Sequence, residues 1–538
     1  MEQGKVNDAI PANEVHSVSF WCPTIDICIL MKEASPKLPP AQRGYPRAFT
    51  HKYTTILYEK ISQKFPNSKL NSIVGLMSER NVKECISYIH KYTKSAFVPE
   101  LTYVSLKISS ARDEVELGHS VEVFFLFLPS EELATANLYV RYSGEFLTSR
   151  LSEFILNNWT HIEAQNGIAA CADLLSFVTA NREIKTRIAQ MISYPYKNIV
   201  SSDDVYLFPS GMASIYHTLR AVQDTALSTR KLDAHTSKAV IFGFPFVDTR
   251  EVMNRFGPGF EFFPFGTDKD LTSLIVYLES HHQSTLLLHC EVPANPLLTT
   301  PNLAILRQLA NKYNIPLCLD DTIGTFLNID ALSYGDIVMS SLTKLFNGSC
   351  DAMAGSIVLN PGSRFYKVFK HFFNTPNQFA PLWLGDALVL DKNSRDFAQR
   401  NQIVNSNAQF VADLLKSNIH VKRLHYPSAD EESKYFYDKI KKPNGGYGCL
   451  LSIIFKETID AGKFYEALQV AKGPSLGTNF TLAIPFAIIG HNQELEYVSQ
   501  FGVEKELIRI SVGMESQDDL RELFTSALNA AVIKNNIT

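Results

Sequence analysis

No Cys-x-x-Cys pair, internal repeat, low-complexity tract or long block of like charge occurs in these 538 residues. Each absence removes a class of protein. The eight cysteines (Cys22, Cys28, Cys85, Cys171, Cys290, Cys318, Cys350, Cys449) are scattered, so neither a zinc knuckle nor a dense disulfide frame is expected, and a reducing compartment suits them. Cys290 and Cys318 sit inside apolar runs, where a free thiol behaves as a small core residue. Lys and Arg total 51 against 55 Asp and Glu, a formal charge of −4. So mild an imbalance points to neither nucleic acid nor an anionic membrane as partner. The opening, MEQGKVNDAIPANE, lacks the apolar core of a secretory signal and the arginine-rich, acid-poor texture of a mitochondrial one. Residues 18–31 are apolar but carry Pro23 and Asp26, and fall short of the roughly 20 residues that span a bilayer. The expected setting is the cytoplasm, with the nucleus as a further compartment.

What is present is ordinary globular composition, 45% apolar and 20% charged, in a chain long enough for at least two domains. Residues 32–47, KEASPKLPPAQRGYPR, read as a linker or surface loop. Residues 51–95 read as helical and SVEVFFLFLP as a buried strand. Between 205 and 361, AVIFGF, TLLLHCEV, IPLCLDD, DIVMSS and GSIVLN are too apolar to have a wet face, as parallel strands under helices on both sides are. The segments between them are amphipathic. Leu303, Leu306, Leu309 and Ala310 share one helical face, as do Met212, Ile215, Leu219 and Val222. The expected architecture is an α/β doubly wound large domain with a mostly parallel sheet, then a smaller α+β C-terminal domain containing the strands GCLLSIIF and LIRISVG. The expected boundaries are 1–165 (N-terminal extension and clamp), 166–390 and 391–538.

Chemistry concentrates in DIVMSSLTKLFNGSCDAMAGSIVL, residues 336–359. Lys344 follows a buried strand, where α/β sheets hold ligands. Desolvation there makes a lysine a usable amine nucleophile. On Lys344 alone a surface lysine is the better reading. Asp320 shifts the odds, because it too ends an apolar strand, one helix-and-strand unit upstream. A buried carboxylate needs a partner to stay ionised, and a pyridinium nitrogen is one. The plainer alternative is a carboxylate that caps the next turn. Ser210, Gly211 and Met212 stand between a strand and a helix, where backbone N–H groups cradle phosphate. Ser341 and Thr343 offer hydroxyls to the same anion. No residue set asks for a metal.

These segments, with VPANP (292–296), LDDT (319–322) and LIRISVG (507–513), resemble the Cys/Met-metabolism family of pyridoxal-phosphate (PLP) enzymes over roughly residues 135–538. HSVSFWCPTID and RGYPRAFTHK are similar to the extended opening of fungal cystathionine γ-synthase-like proteins. The resemblance implies an aminotransferase-like (fold type I) large domain with PLP as cofactor. Lys344 would hold it as a Schiff base and shuttle protons, and Asp320 would bind its ring nitrogen. Asn295 would lie by its phenolic oxygen, and Gly211, Met212, Ser341 and Thr343 at its phosphate. Arg509 would pair with the substrate carboxylate, a task that suits a bidentate guanidinium, with Ser475 beside it. YVRYSG would bring Tyr139 and Arg141 into a neighbouring subunit's phosphate site, which makes a homodimer or homotetramer the expected form. The continuation SGEFLTS departs from the family pattern. So does Phe246, in FPFVDT, where the family has a stacking tyrosine; a phenyl ring keeps the stacking but loses the hydroxyl.

The resemblance further implies amino-acid substrates and a γ-replacement: an O-acylhomoserine, favoured as the acetyl ester, exchanging its acyloxy group for cysteine to give cystathionine in trans-sulfuration and methionine biosynthesis. Cystathionine lyase and O-acetylhomoserine sulfhydrylase activities share every cofactor residue and stay open. A PLP-binding paralogue with a regulatory role, motivated by Phe246, is the reading from another class.

Overall fold

The computed structural model describes residues 4–12, 14–32, 49–66, 70–95, 100–110, 121–160, 168–171, 174–195 and 199–533. The proline-rich segment read as a linker lies outside them apart from Lys32, as do Ser120 and the side chain of Cys171. The other seven cysteines are free and buried. Among the described residues no helix is long and apolar enough to cross a membrane, and no group of three His, Cys, Asp or Glu is placed to hold a metal.

The centre is a seven-stranded sheet. Its spatial order is Val205–Phe208, Gly355–Leu359, Ile337–Ser340, Leu317–Asp320, Thr285–Glu291, Lys238–Phe242 and Phe260–Phe263. The strands are mostly apolar because helices cover both faces, and Thr285–Glu291 and Ile337–Ser340 are buried at every position. Leu303, Leu306, Leu309 and Ala310 of helix Leu303–Lys312 are buried as their spacing predicts. Met212, Ile215, Leu219 and Val222 of helix Gly211–Arg230 are buried too.

Two features differ from the sequence reading. Gly355–Leu359 runs antiparallel to both neighbours. A strand buried on both faces carries no trace of its direction, since burial depends on the layers above and below it. Phe260–Phe263 is an additional edge strand, parallel to Lys238–Phe242. Its four half-buried residues are too few to establish a period.

Residues 51–95 are not all helical. Helices Lys52–Lys64 and Glu79–Tyr92 flank the strand Ser72–Leu76, which pairs with Val121–Leu128 in a four-stranded sheet completed by Thr102–Ser110 and Ile168–Cys171. The C-terminal sheet has five strands, in the order Val421–His425, Leu450–Phe455, Ile508–Ser511, Leu482–Pro485, Ala471–Lys472. Helices Phe397–Lys416 and Gln517–Ala531 pack against it through Ala408, Val411, Phe524 and Leu528. This arrangement brings Ile508–Ser511 to the carboxyl edge of the central sheet, where Arg509 donates to Asn295 at 3.1 Å.

Candidate active site

Three parallel strands end side by side. Glu291 and Asp320 are register partners, as are Asp320 and Met339, so the residues that follow converge at one edge, where open α/β sheets bind ligands. They line a cleft of about 370 Å³, shared by Gly211, Met212, Phe246, Asn295, Ser341, Thr343, Lys344 and Arg509.

Lys344 lies in the turn after Ile337–Ser340. Its Nζ donates to Ser475 Oγ at 3.3 Å. The Ser475 loop is pressed onto the lysine turn through Gly477 (φ 67°), where a Cβ would stand 2.5 Å from Leu345 N. Arg509 is 4% exposed. Besides its bond to Asn295, it donates through Nη2 to Ser475 O at 3.0 Å, and its guanidinium stands 4.7 Å from the centre of the Phe486 ring. The amine and the guanidinium thus share one residue as a common support.

Asp320 accepts from Thr322 N at 2.9 Å, and Thr322 Oγ1 accepts the Ser341 N–H at 2.8 Å, tying the carboxylate loop to the lysine turn. Burial pushes the Asp320 carboxyl above its usual range. No Lys, Arg or His forms an ion pair with it among the described residues. Burial, reinforced by the adjacent Asp320, pushes Glu291 well up. Its Oε1 accepts the Phe246 N–H at 2.6 Å.

Helix Gly211–Arg230 begins at this edge. Ser210 is its N-cap, its Oγ accepting from Ala213 N at 3.1 Å and donating to Gly144 O at 2.8 Å. A Cβ on Gly211 would stand 2.6 Å from Ser341 Cβ. The helix start and the Ser341 turn are therefore in direct contact, and Ser210, Gly211, Met212 and Ser341 line the cleft together, at the positive end of a helix where an anion is favoured. Thr343 is present at the cleft, but its hydroxyl is committed to Ala354, donating to the carbonyl at 3.2 Å and accepting from the amide at 3.1 Å.

YVRYSG, read from the sequence as part of a clamp segment, is the end of helix Leu133–Ser143. Tyr139 is fully buried away from the cleft, among Tyr88, Phe256 and Asn81. Arg141, two residues on and turned the other way by the helical repeat, lines the cleft of its own chain and pairs with Asp248 at 2.9 Å. The unusual continuation has a local cause. Gly144 adopts φ 70°, and a Cβ there would lie 2.4 Å from Ala213 N. The turn therefore seats directly on the phosphate-type helix, while Glu145 accepts from Ala380 N at 2.9 Å and bonds His217 at 2.9 Å.

Sequence reasoning missed Glu291, Asp248, and three residues of the N-terminal segment that line the cleft, Phe20, Met31 and Phe49. Glu291 was findable, since it ends TLLLHCEV as Asp320 ends IPLCLDD. The other four carry no local signal.

The donor set fits PLP. A buried carboxylate lacking a protein cation suits a pyridinium, the glycine-lined helix start suits a phosphate, and Lys344 Nζ suits an aldehyde. Residues 186–529 match the family of Cys/Met metabolism PLP-dependent enzymes. The chain is 32% identical to cystathionine gamma-synthase of Neurospora crassa over 98% of each chain. It is 30% identical to cystathionine gamma-synthase of Saccharomyces cerevisiae, covering 98% of this chain and 99% of that one. The fold resembles cystathionine gamma synthase of Xanthomonas oryzae in complex with aminoacrylate and cysteine (TM-score 0.55, 20% identity, 65% of this chain and 85% of that one). With cleft, cofactor chemistry and sequence kinship in agreement, this chain belongs to the Cys/Met metabolism family of PLP-dependent enzymes.

Proposed function

We propose that the protein is a transferase that replaces the γ-acyloxy group of an O-acylhomoserine with the thiol of cysteine, giving cystathionine. Bound PLP supplies an electron sink that stabilises negative charge developing beside the α-carbon. The residues of the chain do the rest. Lys344 holds the cofactor through Nζ, with Asp320 at the ring nitrogen, Asn295 by the phenolic oxygen and Phe246 against the ring. Gly211, Met212 and Ser341 hold the phosphate, and Arg141 supplies cationic charge from the same chain. Arg509 fixes the substrate carboxylate in a bidentate fork, itself oriented by Asn295, Ser475 and the Phe486 ring. With the carboxylate so held, and the substrate's amine having displaced Nζ from the cofactor, the Cα–H bond would face Lys344 Nζ. Nζ would take the Cα proton, give it up again and, once more a free amine, take one from Cβ as the acyloxy group leaves as its carboxylate. Ser475 Oγ, 3.3 Å from Nζ, steadies the amine between these steps.

The observation that carries the reading is the common support: Lys344 and Arg509 both bond Ser475 at the edge where Asp320 ends its strand. A proton-transfer amine and a carboxylate fork are thereby spaced for the two ends of one α-amino acid. The test incubates purified protein with O-acetylhomoserine and cysteine beside a Lys344→Ala control. Cystathionine should form and be lost in the control. Pyruvate or 2-oxobutyrate released from cystathionine, with no synthesis, would instead make the protein a lyase; homocysteine formed with sulfide alone would make it a sulfhydrylase.

A further inference from the structure

We infer that Glu145 is a positioning residue for the cofactor phosphate: it locks the Gly144 turn to helix Gly211–Arg230 and so fixes the helix start that meets the anion. The inference rests on the reading above only in placing that phosphate at Gly211, Met212 and Ser341.

A carboxylate shut away from water destabilises the fold unless it is given donors. Glu145 is fully buried and has three. Its Oε1 accepts the Ala380 N–H at 2.9 Å and pairs with His217 Nε2 at 2.9 Å, and its Oε2 accepts from Asn81 Nδ2. The donors come from three separate parts of the chain. Asn81 stands on helix Glu79–Tyr92, Ala380 in the loop before helix Leu384–Ser394, and His217 on helix Gly211–Arg230. Asn81 is itself fixed, its Oδ1 accepting from Ser78 Oγ at 2.7 Å. His217 stacks on Phe208 with ring centroids 5.5 Å apart, and its Nδ1 has no hydrogen-bond partner among the described residues. The hydrogen bonding of that imidazole is directed at Glu145.

The helix is thereby gripped at two points on one face, since Ala213 and His217 are one turn apart. Gly144 packs against Ala213, where a Cβ would stand 2.4 Å from the amide nitrogen, and its carbonyl accepts the N-cap hydroxyl of Ser210 at 2.8 Å. Glu145, the next residue, holds His217. A turn anchored at one point can pivot, whereas anchors on successive turns of a helix stop it. Pivoting would draw Gly144 O away from Ser210 and redirect the first N–H groups of the helix, the ones left free to bind an anion. The cofactor ring depends on other residues, Lys344, Asp320 and Asn295, which stand at or beyond the ends of three parallel strands. A disturbance at Glu145 therefore reaches the phosphate and spares the ring.

The test titrates full-length apo-protein with PLP and, separately, with pyridoxal, which has the same ring and aldehyde but no phosphate. Binding is followed by the visible absorbance of the bound cofactor, and the thermal midpoint of each apo-protein is measured alongside. Glu145→Ala removes the grip. His217→Leu removes only its helix end and keeps an apolar group on Phe208, so it decides the matter even where the first variant fails to fold. Each should raise the dissociation constant for PLP about tenfold or more, as expected for a lost hydrogen bond to a charged group, and that for pyridoxal less than about twofold. Glu145→Gln, which keeps Oε1 as an acceptor for Ala380 and His217, should recover most of the PLP affinity. An unchanged ratio of PLP to pyridoxal affinity in His217→Leu overturns the proposal. So does an equal weakening of both ligands with a lowered apo-protein midpoint, the result of a mere packing defect. A parent protein that binds pyridoxal as tightly as PLP overturns instead the placement of the phosphate in the reading beneath.

Discussion

Arg509 reaches its strength through geometry. Its fork is held by Asn295 Oδ1 and Ser475 O and flattened against Phe486, so a lysine at this position keeps the charge and loses the bidentate contact. Arg509→Lys should raise KM for the amino acid about 10- to 100-fold, the range for losing a hydrogen bond to a charged group, with a smaller loss in kcat. Steady-state kinetics separates the two, and an unchanged KM would remove Arg509 from carboxylate binding. Asp321 follows Asp320 into the interior, and burial together with the Asp320 carboxyl pushes it up to about 8. A carboxyl held neutral in the fold but free to ionise when unfolded contributes stability fully present below its unfolded pKa, near 4. That contribution is lost as pH rises towards 8, because the unfolded chain gives up its proton first. Asp321→Asn has no such proton. Its stability relative to the parent should therefore increase from pH 5 to pH 8, by roughly 1 kcal/mol per pH unit, read from denaturation midpoints at both pH values. A difference that stays flat with pH contradicts a neutral Asp321.

At the scale of elements, the site is a junction of strand ends, one helix start and one loop. The strand ends were legible. The strands within IPLCLDD and DIVMSS are apolar up to their last residue, Asp320 or Ser340, and a polar residue at a strand end lies at the open edge of the sheet. The helix start was legible as well, because Ser-Gly before an amphipathic run is an N-cap pattern. The direction of Gly355–Leu359 was not, and neither was the helical state of YVRYSG. Tyr139 and Arg141 stand two apart, which puts them on one face of a strand but on divergent sides of a helix. The short run holds too few turns to tell the two apart. Gly211 is where helix and lysine turn touch. Gly211→Ala inserts a carbon 2.6 Å from Ser341 Cβ and should weaken PLP retention at least about tenfold, a loss on the order of one charge-assisted hydrogen bond. Equilibrium dialysis against free PLP reads it, and normal retention would place the phosphate elsewhere.

Across the whole molecule, the central and C-terminal sheets meet at one cleft, and Phe20, Met31 and Phe49 of the N-terminal segment line it from the same chain. Arg141 lines the cleft of its own chain, which predicts that it acts there rather than in a neighbour. Mixed oligomers test this directly. Arg141→Ala and Lys344→Ala proteins, unfolded together and refolded as mixtures, should show no activity beyond that of either alone. If Arg141 acted across a subunit boundary, each hybrid dimer would regain one intact site of its two, and the mixture would recover activity in proportion to the hybrids formed.

The sequence by itself determined the chemistry and the α/β scaffold. Buried strands must be apolar, and a lysine, an aspartate and an arginine set at their ends stand out against that background. Only the tertiary structure decided that Arg141 lines the cleft of its own chain, that Tyr139 belongs to the core, and that Phe20, Met31 and Phe49 reach a cleft whose lysine lies some three hundred residues away. The reason is physical. An apolar side chain lining a cleft and one filling a core obey the same hydrophobic preference, so nothing local distinguishes them until the chain has closed on itself.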